Sequence, residues 1–293
     1  MGSETRMRTF VYAVLAMVAF AANSILCRLA LRQELIDPAS FSTLRLVSGA
    51  VTLLLVSVWK TRSAVPVKGS FLSACLLALY AIPFSFAYRS LSAGTGALIL
   101  FGCVQVTMIL VALRSGERVL VLQWVGLIAA LSGLVTLLLP TLATPSIVQA
   151  ALMALAGVSW GLYSWRGRSS ADPLAATTAN FVQAIPLVVA VSLVTLSQSR
   201  VTARGLILSV ASGAVASGLG YVSWYAALRG LTGTQGAVVQ LSVPVLAAAG
   251  GVIFLAELIS IRLVISTILV LGGIALAMIG RERVTRRVEA SAV

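Results

Sequence analysis

With no histidine in the chain, the ordinary acid–base groups are eight carboxylates: Glu4, Glu34, Asp37, Glu117, Asp172, Glu257, Glu282 and Glu289. Without His there can be no Ser-His-Asp triad, His-ligated zinc or bis-His haem. None of the acids lies near the middle of an apolar run. That leaves neither a buried aspartyl dyad nor a mid-membrane proton-relay carboxylate. Cys27, Cys75 and Cys103 sit in or beside apolar runs, with neither CxxC nor disulfide spacing, and read as buried thiols. No GxxxxGK(S/T) loop occurs, so direct use of ATP has no support. These residues point away from an enzyme, and they call for no cofactor and no metal.

What remains is the chemistry of binding. Asn23, Ser24, Tyr80, Phe84, Gln105, Trp160, Tyr163, Tyr221, Trp224 and Gln240 fall deep in apolar runs and are the candidate substrate contacts. Uncharged amides and hydroxyls can hold the polar ends of an amino acid without the cost of a buried charge. Rings can cover its apolar part. Trp and Tyr also form interfacial belts, a role that suits Trp59 and Trp124. Arg45 is the one strong charge well inside a run. Snorkelling toward the interface and Asp37 is its expected behaviour, and an anion contact in a watery vestibule is the alternative.

Pro83, Pro186 and Pro244 interrupt apolar runs, and each removes a backbone donor and can kink a helix. Pro83 and Pro244 are taken as hinge candidates. Glu117 and Glu257 each close an apolar run. Both are expected to be solvated helix ends near Arg118 or Arg262. The functional alternative is a gate ion pair present in one conformation.

The elements that must position these groups follow from composition. Apolar residues make up 59% of the 293 and charged ones 10%, against about 25% charged in soluble domains. The mean hydropathy is +1.04. Continuous runs such as AVTLLLVSVW, residues 50–59, lack the alternation of a membrane barrel. The fold class is therefore an all-α polytopic membrane protein with the lipid bilayer as partner. The net charge of +13 is spread over the ends of apolar runs rather than gathered in a patch, so nucleic acid is not a partner.

Breaks at charges, Pro and Gly give ten spans, at 9–27, 39–58, 70–88, 95–113, 119–139, 147–165, 174–196, 206–226, 235–256 and 262–280. With the N-terminus inside, 14 of the 21 Lys and Arg residues fall on the inner side and 6 on the outer. Both termini are thus expected in the cytoplasm, the protein being multi-pass in the cell inner (plasma) membrane. A signal-peptide reading of AFAAN, residues 19–23, is disfavoured because the first span has a counterpart later in the chain.

That counterpart belongs to a repeat. RSLSAGTGA at 89–97 returns as RGLTGTQGA at 229–237, an offset of 140 residues. The same offset carries Leu15, Ala16 and Val18 onto Leu155, Ala156 and Val158. It carries Arg28 onto Arg168, Glu117 onto Glu257 and Gly133 onto Gly273. Asp37-Pro38 recurs as Asp172-Pro173. Residues 1–140 and 141–293 then each hold five spans. Five is odd, so the second repeat is inverted relative to the first, the architecture of alternating-access carriers.

GAVVQLSVPVLAAAGGVIFLAEL, residues 236–258, resembles the fourth helix of an EamA-type repeat in the drug/metabolite transporter superfamily. So does GALILFGCVQVTMILVALRSGERV, 96–119, which ends in Gly116-Glu117-Arg118. WGLY at 160–163 resembles that repeat's first helix, and DPASFSTLR at 37–45 its second. There are departures. Val104 stands where the mid-helix Pro belongs, Asn180 where the Arg belongs, Ala256 before Glu257, and Phe20-Ala21 for Trp-Gly. The resemblance implies a ten-helix carrier of small metabolites, often an exporter. Within the superfamily the chain looks most like the bacterial aromatic amino acid exporter branch. The expectation is a secondary transporter exporting amino acids, with a lipid-handling or channel-type protein as the alternative.

Overall fold

The computed structural model describes residues 3–61, 69–114, 121–138, 146–167, 170, 172–231, 239–240, 242–273 and 275–276. Its helices are α1 (Ser3–Arg32), α2 (Pro38–Thr61), α3 (Phe71–Ala87), α4 (Ala93–Arg114) and α5 (Val121–Leu138). They continue with α6 (Ile147–Gly167), α7 (Pro173–Val194), α8 (Ala203–Leu228), α9 (Ser242–Leu255) and α10 (Ile261–Gly273). The single β contact among the described residues is an isolated antiparallel bridge between Ile36 and Val201. Six helices, α1, α2, α4, α6, α7 and α8, are long and apolar enough to cross a membrane by length and composition. The protein is an all-helical, multi-pass membrane protein.

Local chemistry sets where these helices begin. Asp37 accepts from the Ser40 N–H at 2.9 Å, and Pro38 is the first residue of α2. Asp172 accepts from the Leu174 and Ala175 N–H groups, both at 3.1 Å, and Pro173 opens α7. The recurring Asp-Pro is thus a helix start used twice: a carboxylate cap followed by a residue with no N–H to lose. Ser70, Ser92, Thr202 and Ser260 cap α3, α4, α8 and α10 with their hydroxyls.

Two departures from the expected spans matter for the site. Helix α1 runs on to Arg32, so Arg28 is helical rather than in a loop. And α8 is not α-helical throughout, because Ser212–Leu219 forms a π-helical stretch. Its small residues permit close approach. A Cβ on Gly213 would strike the Arg45 carbonyl and the Ser48 hydroxyl, which explains why SVASGAVASGLG is so poor in bulk.

The helices pair mainly across the midpoint of the sequence: α1 with α8 and α9, α2 with α7 and α8, α3 with α6 and α7, and α4 with α6 and α9. Large apolar side chains such as Leu55, Ile128, Ile207, Ile253 and Ile268 cover the outside. In a bilayer such a surface meets lipid rather than water. Ala, Gly, Ser and aromatic residues fill the inside, where α1, α3, α4, α6 and α8 converge.

Candidate functional site

At that convergence the rings form one continuous cluster. Trp160 of α6 has its centroid 4.9 Å from Tyr80 of α3, 5.0 Å from Tyr221 of α8 and 5.5 Å from Tyr163. Phe20 of α1 makes edge contacts with Trp160, Tyr221 and Trp224 at 6.2, 5.9 and 6.0 Å. Phe84 lies 5.3 Å from Tyr80, and Phe181 of α7 lies 5.5 Å from Tyr221. Offset and edge geometries of this kind are the favourable ones for aromatic pairs.

A polar network runs through the cluster. The Ser212 hydroxyl donates to Asn23 Oδ1 at 2.6 Å, and Asn23 Nδ2 donates to the Tyr80 hydroxyl at 3.3 Å. Arg45 donates to the same hydroxyl through Nη2 at 2.8 Å and to Ser217 through Nε at 3.0 Å. Its guanidinium also lies 5.0 Å and 4.9 Å from the Tyr80 and Phe84 ring centroids. In an ordinary α-helix, residues five apart diverge by about 140° around the axis. The π stretch, bonded i to i+5, brings Ser212 and Ser217 toward one face. Both can then serve this network.

Arg45 therefore does not snorkel toward Asp37, as the sequence suggests. It is 1% exposed and held inside by neutral hydroxyls and rings, while Asp37 is occupied capping α2 and accepting from the Arg200 N–H. A hydroxyl and two ring faces within reach replace the water that snorkelling would seek.

Of the ten candidate contacts, Asn23, Ser24, Tyr80, Phe84, Trp160 and Tyr221 line one small central cavity of about 10 Å³ with Phe20. That is room for about one water. Tyr163 stacks on Trp160 but faces Asn180, whose Nδ2 donates to its hydroxyl at 3.5 Å, and Trp224 reaches the cluster through Phe20. Gln105 and Gln240 are buried away from this cavity's lining, and Gln240 Oε1 has no partner. Pro83 is buried within α3, Pro244 lies in the first turn of α9, and Glu117 falls outside the described residues. Phe20 and Phe181 belong to the site although sequence reasoning left them out, and Arg45 joins its polar network, where the sequence offered an anion contact as the alternative to snorkelling. Phe20 sits 140 residues before Trp160, a signal the repeat already carried.

The two ends of the bundle differ. At one end the connections are tied together. Arg28 Nε donates to Glu257 Oε1 at 3.2 Å, both side chains being only 10% exposed. Arg28 Nη1 also donates to the carbonyls of Tyr88 and Arg89 at 3.0 and 2.7 Å. Glu257 Oε2 accepts from the Ala93 N–H at 2.8 Å, at the start of α4, where a helix favours negative charge. Arg32 donates to the Leu255 carbonyl at 2.7 Å. Ala256, with φ of 50°, turns the chain back so that this carboxylate enters the bundle. Glu257 is thus neither a solvated helix end nor a partner of Arg262 in this ion pair. The longer α1 carries Arg28 to it.

A cavity of about 160 Å³ beside Leu31, Glu34, Arg89 and Arg200 also lies at that end, but it shares no lining residue with the central one. At the other end two cavities open. One of about 310 Å³ is lined by Lys60, Thr177, Tyr225, Arg229 and, at its depth, Tyr221. A second of about 190 Å³ is lined by Ser70, Tyr163, Arg166, Asn180 and Tyr225. Tyr221 belongs both to the larger cavity and to the central one.

Comparison with known proteins agrees with this architecture. The chain is 49% identical over 274 residues to the uncharacterized protein PA1977 of Pseudomonas aeruginosa, covering 94% of this chain and 96% of that one. A crystal structure described only as that of a protein superposes with a TM-score of 0.62 at 18% identity. It covers 91% of this chain and 97% of its own, which shows the shared fold. The model of the EamA-like transporter family matches twice, over residues 7–139 and again over 147–279. By those two consecutive matches the chain belongs to the EamA-like transporter family, whose members are membrane transporters of small molecules.

Proposed function

We propose that the protein is a secondary carrier that exports small organic metabolites, amino acids with aromatic side chains among them, across the cell inner membrane. It works by alternating access between two inverted five-helix repeats, 1–140 and 141–293. The observation that carries the reading is the central aromatic and polar site, built from both halves and sharing Tyr221 with the larger cavity of the open end. Rings suit the apolar part of such a cargo, and Asn23, Tyr80 and Tyr221 suit its polar end.

Two further observations support inversion. The family match is repeated at an offset of 140 residues. And the helix pairing maps onto itself when each helix is exchanged for the one five places on. The α1–α8 contact becomes α6–α3, α1–α9 becomes α6–α4, and α2–α7 and α4–α9 are unchanged. The excess of Lys and Arg puts both termini and the open end in the cytoplasm, so the closed end faces outward. A channel would need a continuous polar path, and a central cavity of about 10 Å³ lends it no support.

The acids among the described residues, Glu4, Glu34, Asp37, Asp172 and Glu257, all lie at helix ends. Among the described residues no carboxylate stands near the centre, and the chain has no His, so cargo moves down its own gradient. The test is flux of labelled amino acids into liposomes holding the purified protein, with and without a pH difference. Flux driven by the solute gradient alone is expected. No flux of any amino acid defeats the carrier reading, and flux that requires a proton gradient defeats the uncoupled form of it.

A further inference from the structure

We propose that the central site is a receptor for a small organic carboxylate, with Arg45 as its cationic contact and the Tyr221 hydroxyl as a second donor. The proposal rests on the carrier reading and narrows the cargo it moves.

Arg45 is a cation sealed in the middle of a membrane bundle, and its partners are neutral: one serine, one tyrosine and two ring faces. Its Nη1 has no hydrogen-bond partner. The described ion pairs are those of Arg28 with Glu257 and of Arg200 with Glu34, so no described carboxylate neutralises Arg45. A buried charge without a counter-ion is costly, and membrane proteins retain one where a ligand or pathway uses it.

The second orphan donor lines the central cavity, and Arg45 stands behind that lining against Tyr80 and Phe84. The Tyr221 hydroxyl is also buried without a partner, although its ring is shared between the central cavity and the approach from the open end. The approach itself is cationic. Lys60 and Arg229 line the larger cavity and Arg166 the smaller, and neither described lining includes Asp or Glu. A low-dielectric cleft lined by one sign of charge concentrates solutes of the opposite sign. Entry, inner cation and unpaired donor thus all favour an anionic group. A guanidinium with a free N–H and a phenolic O–H offers two charge-assisted bonds to carboxylate oxygens.

The test is binding to the full chain in lipid nanodiscs, using matched sets that differ in one group. Phenylalanine and phenylpyruvate carry the carboxylate, phenylalaninamide replaces it with an amide, and phenethylamine lacks it. Parallel sets use apolar and polar side chains. At least one carboxylate should bind roughly tenfold or more tightly than its amide, the scale of a lost charge-assisted bond. Arg45→Gln should bring that ratio toward one, the amide's affinity in the same variant serving as the reference. Arg45→Lys should keep part of the preference. A strut role for Arg45 would lower all binding together and leave the ratio alone, which would overturn the proposal. So would amides or amines binding as well as carboxylates in the wild type, a comparison that needs no variant to fold. Binding by none of the carboxylates overturns it too. Carboxylate-selective binding without flux in liposomes would instead sink the carrier reading and leave the receptor standing.

Discussion

The closed end of the bundle and the open end are built from the same kinds of helix termini, yet they hold together by different chemistry. At the closed end Arg28 reaches an acid, two carbonyls and, through Glu257, the first N–H of α4. At the open end Arg166 reaches the hydroxyls of Ser73 and Ser70 at 3.3 and 3.2 Å, and cavities separate the helices. A largely buried, well-bonded ion pair resists separation because pulling it apart strands two charges. Guanidinium–hydroxyl bonds in reach of water exchange cheaply with solvent. The difference teaches that one end is held by an ion pair and the other by hydroxyl contacts beside larger cavities, although helix count and composition distinguish them poorly.

That ion pair, the clasp of its end, should therefore be the most sensitive point. Arg28→Ala leaves Glu257 buried and uncompensated and should cost about 3–5 kcal/mol of stability. A large fall in the thermal midpoint is expected. A cysteine at Ser24, in a background without Cys27, Cys75 and Cys103, should also become reactive from the closed side. An unchanged midpoint together with an unreactive cysteine would remove the distinction between the ends.

Next in size is the site between them. Trp160→Ala removes the ring that touches Tyr80, Tyr163, Tyr221 and Phe20. It should weaken cargo binding by roughly 5–150-fold, equivalent to about 1–3 kcal/mol. Trp124→Ala, at a side chain 48% exposed on the outside of α5, should leave binding and flux unchanged at equal membrane abundance. Equal effects from the two would erase the special status of the cluster.

A finer cut uses the Tyr221 hydroxyl. It has no partner in the protein, so Tyr221→Phe should change stability by less than about 0.5 kcal/mol. Cargo affinity should nonetheless fall by roughly tenfold, the scale of one charge-assisted hydrogen bond. A loss of stability without a loss of affinity would assign the hydroxyl to the fold.

The smallest expected effect sharpens the clasp. Ala256 holds a left-handed backbone that suits glycine, at a place where the first half has Gly116. Ala256→Gly relieves steric strain of about 1–2 kcal/mol, offset in part by glycine's extra chain entropy. A small rise in the thermal midpoint, without new labelling at Ser24→Cys, is the expected result. A fall would mean the strain is not borne at this residue.

Helix starts were readable from sequence because they are local. Asp-Pro, Ser and Thr act within three residues of themselves. The ring cluster was readable in part because Trp and Tyr deep in apolar runs have few other places to go. The clasp was not readable, since Arg28 and Glu257 stand 229 residues apart and only the tertiary packing of α1 against α9 chooses this partner over Arg262. Arg45 was misjudged for a related reason. Its depth along the helix was legible, but the hydroxyls and rings that hold it come from α3 and α8. The π stretch has no clear mark in the sequence beyond its run of small residues.

That π stretch has a consequence for how the gene can change. An i to i+5 ladder holds about one residue more than the α-helix it interrupts. Removing a residue from an ordinary helix rotates everything beyond it by about 100°. Removing one between Ser212 and Leu219 would instead close the ladder into continuous α-helix and leave Tyr221 and Trp224 near their present bearing. What it would lose is the shared face of Ser212 and Ser217. A relative one residue shorter here could keep its rings and its fold, yet hold Arg45 by different contacts.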